Sequence, residues 1–190
     1  MRKYDLKRIP ELENNWANIK HLFKTKTFSS GTTLLQEGTV AKYIYLVEKG
    51  ALRLWCNDEG RDITVQFFFE EQMVSSFESF YLEKESRFSI ECIEDTTVSM
   101  ISKESLELLM REFPELNTYM TSIICKRFID YTNSFLSRIK DAPEKRYQEM
   151  LENEPELINR VSHHYIASYL GITSVSLSRI RNRIKNKKMD

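Results

Sequence analysis

A single change of hydrophobic period divides this chain and limits what it can fold into. Between Thr27 and about Ser102, apolar residues alternate with polar ones in short bursts, the period of strands whose side chains face opposite ways in turn. The bursts are Tyr43 to Val47, Ala51 to Cys56, Asp62 to Phe69, Arg87 to Ile93 and Thr97 to Ile101, all rich in β-branched and aromatic residues. Gly31, Gly38, Gly50 and Gly60 fall in the same stretch, and Glu48-Lys49-Gly50 and Asn57-Asp58-Glu59-Gly60 have the composition of hairpin tips. Many short strands at even spacing predict a small antiparallel roll.

On either side the period is helical. Residues 1 to 26 are expected to be helical, with Ile9, Leu12, Trp16, Ile19 and Phe23 on one face and Pro10 near a helix start. Lys103 to Phe113 predicts a short helix, and Pro114 opens a long one that runs from Glu115 to about Ile139, some 37 Å. Leu116, Met120, Ile123, Ile124, Phe128, Tyr131, Phe135 and Ile139 form an apolar stripe along it. One small roll cannot cover so long a stripe, so a second copy of the helix in a two-fold dimer is the expected partner; packing on the chain's own domains is the alternative. Asp141-Ala142-Pro143 then breaks the helix, and Glu144 to Asn153 forms another that ends near Pro155. The expected architecture is α+β: an antiparallel β-roll domain over residues 1–113, a dimerisation helix over 114–140 and a helical domain over 141–190.

The 190 residues are 41% hydrophobic and 29% charged, enough apolar surface for a core and too much distributed charge for a membrane protein. No stretch reaches the ~20 apolar residues of a membrane span. MRKYDLKRIPELENNW has no apolar run, so a secretory signal is not expected and a cytoplasmic location follows. Cys56, Cys92 and Cys125 are odd in number and widely spaced, which predicts buried thiols and neither a disulfide framework nor a paired metal site.

The net charge of zero conceals an asymmetry. From Leu157 to Asp190 stand seven basic residues and one acid, so this end carries +6 and the remainder −6. Phosphates respond to local potential and not to total charge, so a basic end on an acidic chain suggests a nucleic-acid contact.

The same end holds a specific pattern. In SHHYIASYLGITSVSLSRIRNRIK, Ser162 caps a helix whose apolar face is Ile166 and Leu170, with Ala167 small enough for a close crossing. Gly171 takes a left-handed turn, Thr173 caps a second helix, and Leu177, Ile180 and Ile184 face inward. The outer face then carries Ser174, Ser176, Ser178, Arg179, Arg181 and Arg183. Such a helix fits a major groove, where an arginine can donate two bonds to a guanine edge. Arg179 is the expected base contact and Arg181 and Arg183 the expected phosphate contacts. His163 and His164 open the first helix, within reach of phosphate or of solvent.

Two blocks carry a resemblance over almost the whole length. FSSGTTLLQEGTVAKYIYLVEKGALRLW, from Phe28 to Trp55, and VSHHYIASYLGITSVSLSRIRNRI resemble the β-roll and the helix-turn-helix of the bacterial Crp-Fnr superfamily of cyclic-AMP receptor-like regulators. The resemblance implies a homodimer that binds palindromic double-stranded DNA, with RNA polymerase as a further partner. It places the DNA contacts on Ser174, Val175, Ser176 and Arg179; Val175 replaces an acid common in the family, so that family's operator sequence is not expected.

The resemblance fails at the phosphate cassette. Cyclic-nucleotide binders of the family use Gly-Glu-Leu and then an Arg-Ser or Arg-Thr pair. The aligned positions here read Ser75-Ser76-Phe77 and Ser86-Arg87, with Glu78 as the nearest acid. Arg87 lies one residue out of place, and a one-residue shift on a strand turns a side chain to the opposite face. Standard cyclic-AMP binding is therefore not expected, and these six residues are candidates for another small molecule. An iron-sulfur cluster lacks its cysteines and haem has only His21 in the sensor. A cupin-like metalloenzyme needs histidines in the roll, and none lies between Lys24 and Arg160; the chain is not expected to be an enzyme. The remaining alternative is a ligand-binding regulatory module without DNA activity.

Overall fold

The computed structural model of the protein describes residues 9–187; residues 1–8, included in the expected N-terminal helix, lie outside them. Two short helices, α1 (Pro10–Asn14) and α2 (Trp16–Ile19), lead into eight strands: β1 (Phe23–Phe28), β2 (Thr33–Leu35), β3 (Tyr43–Lys49), β4 (Leu52–Asp58), β5 (Arg61–Phe68), β6 (Met73–Val74), β7 (Ser89–Cys92) and β8 (Thr96–Ser102), with α3 (Phe77–Leu82) between β6 and β7. The strands form two four-stranded sheets, ordered β1-β8-β3-β6 and β2-β7-β4-β5. The helices α4 (Lys103–Glu112), α5 (Glu115–Lys140), α6 (Pro143–Asn153), α7 (Pro155–Arg160), α8 (His163–Leu170) and α9 (Ser174–Lys187) follow. Among the described residues, no helix is long and apolar enough to cross a membrane.

The five expected strands are present within one to two residues. The expectation of helix through residue 26 is wrong from Phe23 onward, where β1 begins and pairs with β8 from Phe23↔Ile101 to Phe28↔Thr96. The physical reason is the alternation in Phe-Lys-Thr-Lys-Thr-Phe. Its threonines meet hydroxyls across the ladder, Thr25 with Ser99 at 3.0 Å and Thr27 with Thr97 at 2.9 Å, cross-strand pairs that outweigh a helical spacing of four from Ile19 to Phe23. The expected hairpin tip at Glu48-Lys49-Gly50 is instead a crossing from β3 in one sheet to β4 in the other, where Gly50 has φ 96° and a Cβ would stand 2.6 Å from the Asp95 carbonyl oxygen, so both backbone angle and space require glycine.

The chain divides into two compact units. The first holds the residues up to Cys56 together with Gln66–Phe128, and the second holds Asn57–Val65 together with the chain from Ile129. The core of the first is the apolar lining of the roll, where Val47, Leu52, Ile90, Cys92, Val98 and Leu109 are essentially inaccessible. Burial pushes the Cys92 thiol up to about 11. Cys125, expected to be buried, is exposed on α5, and Cys56 is half-buried.

Strand alternation alone would leave one face of β4 to solvent. Instead Arg53 is 2% exposed, between the buried Leu52 and Leu54. Its guanidinium bonds the Glu91 carboxylate at 2.7 Å, directly across the β4–β7 ladder, and lies 4.6 Å from the Trp55 ring centroid. A desolvated charge persists inside a fold when a partner charge and donor geometry of this kind accompany it.

Candidate nucleic-acid interface

In the second unit, α8 and α9 are each started by a hydroxyl. The Ser162 side chain accepts from the Tyr165 amide and the Thr173 side chain accepts from the Ser176 amide at 3.2 Å, which satisfies an amide that no helical carbonyl can reach. Between them Gly171 adopts φ 69°, its amide bonds Ser168 O, and the Ile172 amide reaches back to Ala167 O at 3.0 Å. That is a left-handed helix end of the Schellman kind. Two guanidiniums close the same end: Arg146 donates to Leu170 O at 2.7 Å and Arg138 to Tyr169 O at 3.5 Å, with Arg138 5.4 Å from the Tyr169 ring centroid. Cations there oppose the negative end of the helix dipole. Burial raises the hydroxyl pKa of Tyr169.

Ile166, Ala167 and Leu170 of α8 and Leu177, Ile180 and Ile184 of α9 are buried, as their spacing predicts. With about 100° between successive residues, Val175, Ser178, Arg179 and Asn182 stand opposite the buried stripe of α9, and all four are exposed. Arg179 has no ion pair or hydrogen bond among the described residues. Ser174 and Arg181 turn toward one flank of the helix and Ser176 and Arg183 toward the other.

The two flanks are not bare. Arg181 bonds the Nδ1 atom of His163, at the start of α8, at 2.9 Å; a guanidinium has no acceptor, so the imidazole nitrogen accepts. Arg183 pairs with Glu144, in the first turn of α6, at 3.0 Å. An open groove of about 760 Å³ runs beside α9 here, lined among others by Pro143, Glu144, Ser176, Arg179 and Arg183. Asn182 and Glu144 escaped the sequence reading. The spacing of seven from Val175 to Asn182 could have found the first; no local signal finds the second, because it comes from another helix.

The cassette positions in the first unit are occupied by contacts of the protein itself. The Ser75 hydroxyl donates to Tyr43 O at 2.9 Å, and Ser76 is buried with its carbonyl accepting from the Phe80 amide at 2.8 Å. The Ser86 amide donates to Thr39 O, and its hydroxyl bonds both the carbonyl and the amide of Phe88. Arg87 is exposed and pairs outward with Glu78 at 2.5 Å, while Phe77, 56% exposed, stacks on Tyr81. The structure thus brings Glu78 and Arg87 together and engages the Ser75 and Ser86 hydroxyls internally.

On α5 the expected stripe divides. Leu116 and Ile123 are buried within the chain, and Arg127 ties this part of the helix to Met73 O and lies 5.1 Å from the Phe68 ring centroid. Ile124, Phe128, Tyr131, Phe135 and Ile139, at spacings of four, three, four and four, remain exposed, with Phe128 at 72% and Phe135 at 64%. Exposed aromatic rings in a continuous row mark an interaction surface.

Comparison with known proteins agrees with this geometry. Residues 25–113 match the cyclic nucleotide-binding domain family. No curated protein sequence matches the chain. Among solved structures, it is similar to a CooA mutant from Carboxydothermus hydrogenoformans, with a TM-score of 0.75 at 17% identity over 98% of this chain and 87% of that one. It is similar to the c-di-GMP responsive global regulator CLP of Xanthomonas campestris, with 0.75 at 16% identity over 93% of each chain. A crp/fnr-family regulator from Eubacterium rectale gives 0.69 at 22% identity over 91% of this chain and 87% of that one. Over most of its length the chain shares the fold of these solved structures.

Proposed function

We propose that the protein is a DNA-binding transcription regulator of the Crp-Fnr type, a cytoplasmic homodimer joined through the 114–140 helix that binds a palindromic operator and contacts RNA polymerase. The residue ranges 1–113, 114–140 and 141–190 serve as sensor, dimerisation element and reader. The observation that carries the reading is the position of Arg179, exposed and without an intramolecular partner among the described residues, in the centre of the outer face of a helix set by a glycine turn. Val175, Ser178 and Asn182 flank it, and an asparagine can read adenine as an arginine reads guanine. Ser174, Ser176, Arg181 and Arg183 lie to the sides, where phosphates run. Because the hydroxyls of Ser75 and Ser86 are committed within the protein, Ser76 is buried and Arg87 faces Glu78, the proposal assigns no role to cyclic AMP.

Enrichment of genomic fragments on the purified protein tests this reading. The expected product is an inverted repeat with half-sites one helical turn, about 34 Å, apart. Arg179→Ala is expected to weaken binding to that repeat by about 1–3 kcal/mol and to relax one base position in each half. Failure of a folded dimer to retain any fragments favours the module without DNA activity.

A further inference from the structure

Among the charged groups of the second unit, Glu144 pairs with Arg183 but has no role in the DNA contacts proposed above, and its surroundings give it one. It is the single acid among the groove-lining residues beside α9, which also include Ser176, Arg179 and Arg183. Its side chain is only 25% exposed and its carboxylate reaches the 61%-exposed Arg183 guanidinium at 3.0 Å. Pro143 at the first position of α6 fixes where Glu144 stands, and a carboxylate in a first helical turn is held by the dipole of that helix.

A carboxylate bound to a guanidinium presents the charge and oxygen geometry of a phosphate. We infer that Glu144 is a built-in phosphate mimic, which occupies Arg183 in the free protein and must be displaced when a DNA strand enters the groove. This inference rests on the DNA-binding reading above and assigns that site a discrimination residue. Its consequence is selective. On any duplex the dimer surrenders two ion pairs to gain two phosphate contacts and brings two carboxylates near the backbone, so sequence-independent attraction is weakened. Base contacts from Arg179 and Asn182, on a different azimuth of α9, do not pass through this exchange. Glu144 thereby lowers binding to mixed-sequence DNA more than binding to the operator, which raises the ratio between the two. Arg181 differs in kind, because His163 is no anion and its displacement does not add a negative charge to the groove.

The test compares wild type, Glu144→Gln, Glu144→Asp and the double variant Glu144→Gln/Arg183→Gln, all full-length. Their affinities for a mixed-sequence duplex and for the enriched repeat are measured between 50 and 200 mM salt, with melting temperature recorded for each. For Glu144→Gln, affinity for mixed-sequence DNA is expected to rise on the order of threefold to tenfold at 100 mM salt, with a salt slope steeper by about one to two per dimer. Affinity for the repeat rises less. Glu144→Asp keeps the charge and the wild-type slope, and removal of Arg183 cancels the gain. A Glu144→Gln dimer with wild-type affinity and slope on mixed-sequence DNA overturns the inference and leaves the DNA-binding reading in place. If neither wild type nor Glu144→Gln binds any duplex, the underlying reading fails and the inference goes with it.

Discussion

If the proposed dimer forms through α5, replacement of Phe128 and Phe135 by lysine is expected to convert it to a monomer and to lower affinity for the proposed operator by a factor on the order of 10² to 10⁴. The two rings are the most exposed apolar groups on α5 apart from Ile139, and they lie on one face with Ile124 and Tyr131. Lysines there cannot be buried against their own symmetry copies without two like charges approaching in a desolvated seam. Because the second half-site is read at the effective concentration that dimerisation supplies, its loss removes avidity without touching a single DNA contact. Sedimentation and a binding isotherm on the same sample check both halves. A variant that stays dimeric, or a monomer with wild-type affinity, contradicts the account of α5. Both side chains are mostly exposed, so melting of the roll is expected to change little.

Replacement of Arg53 by alanine is expected to destabilise the roll by about 3–5 kcal/mol, the cost of removing one partner from a buried ion pair. The Glu91 side chain is 13% exposed and loses its guanidinium, while Trp55 loses the cation stacked on it. For a unit of this size that corresponds to a fall on the order of 15 °C in Tm. The paired substitution Arg53→Met/Glu91→Leu is expected to recover most of the loss, because two apolar groups of similar volume remove both desolvation costs together. A single variant that melts within a few degrees of wild type shows that the pair is solvated and the burial argument wrong. Calorimetric unfolding of the three proteins decides it.

The two kinds of prediction draw on different depths of information in the chain. The helix-turn-helix was legible almost residue by residue, because each feature is local: a serine cap, a glycine at positive φ, a threonine cap, and apolar residues three and four apart. The central strands were legible for the same reason, since alternation and glycine tips act over a few residues. What escaped is what depends on distant partners. β1 reads as helix until β8 is placed beside it, and the two-residue β6 and three-residue β2 are defined only by the strands they join. Helix α3 has too few residues for a period to emerge. The burial of Arg53 needs Glu91, 38 positions away, and the Glu144 to Arg183 pair needs α6 to meet α9. The stripe on α5 was read correctly as apolar but not as divided, because the packing of Leu116 and Ile123 within the chain is a tertiary fact.

The cassette shows how sequence and structure divide the work. The departures at Ser75, Ser76 and Ser86 were visible in the letters. That the serines bond Tyr43, Phe80, Thr39 and Phe88, and that Arg87 turns to Glu78, required coordinates.

The most direct test of the central claim is a titration of the purified dimer with the enriched repeat and with a scrambled duplex of equal composition, at 50 and 200 mM salt. The account predicts tighter binding to the repeat at both concentrations. It also predicts that log affinity falls against log salt with a slope of at least about 1.8 in magnitude, as the phosphate contacts of Arg181 from two chains require while Glu144 offsets Arg183. Equal affinity for the two duplexes, or a slope near zero, would contradict it.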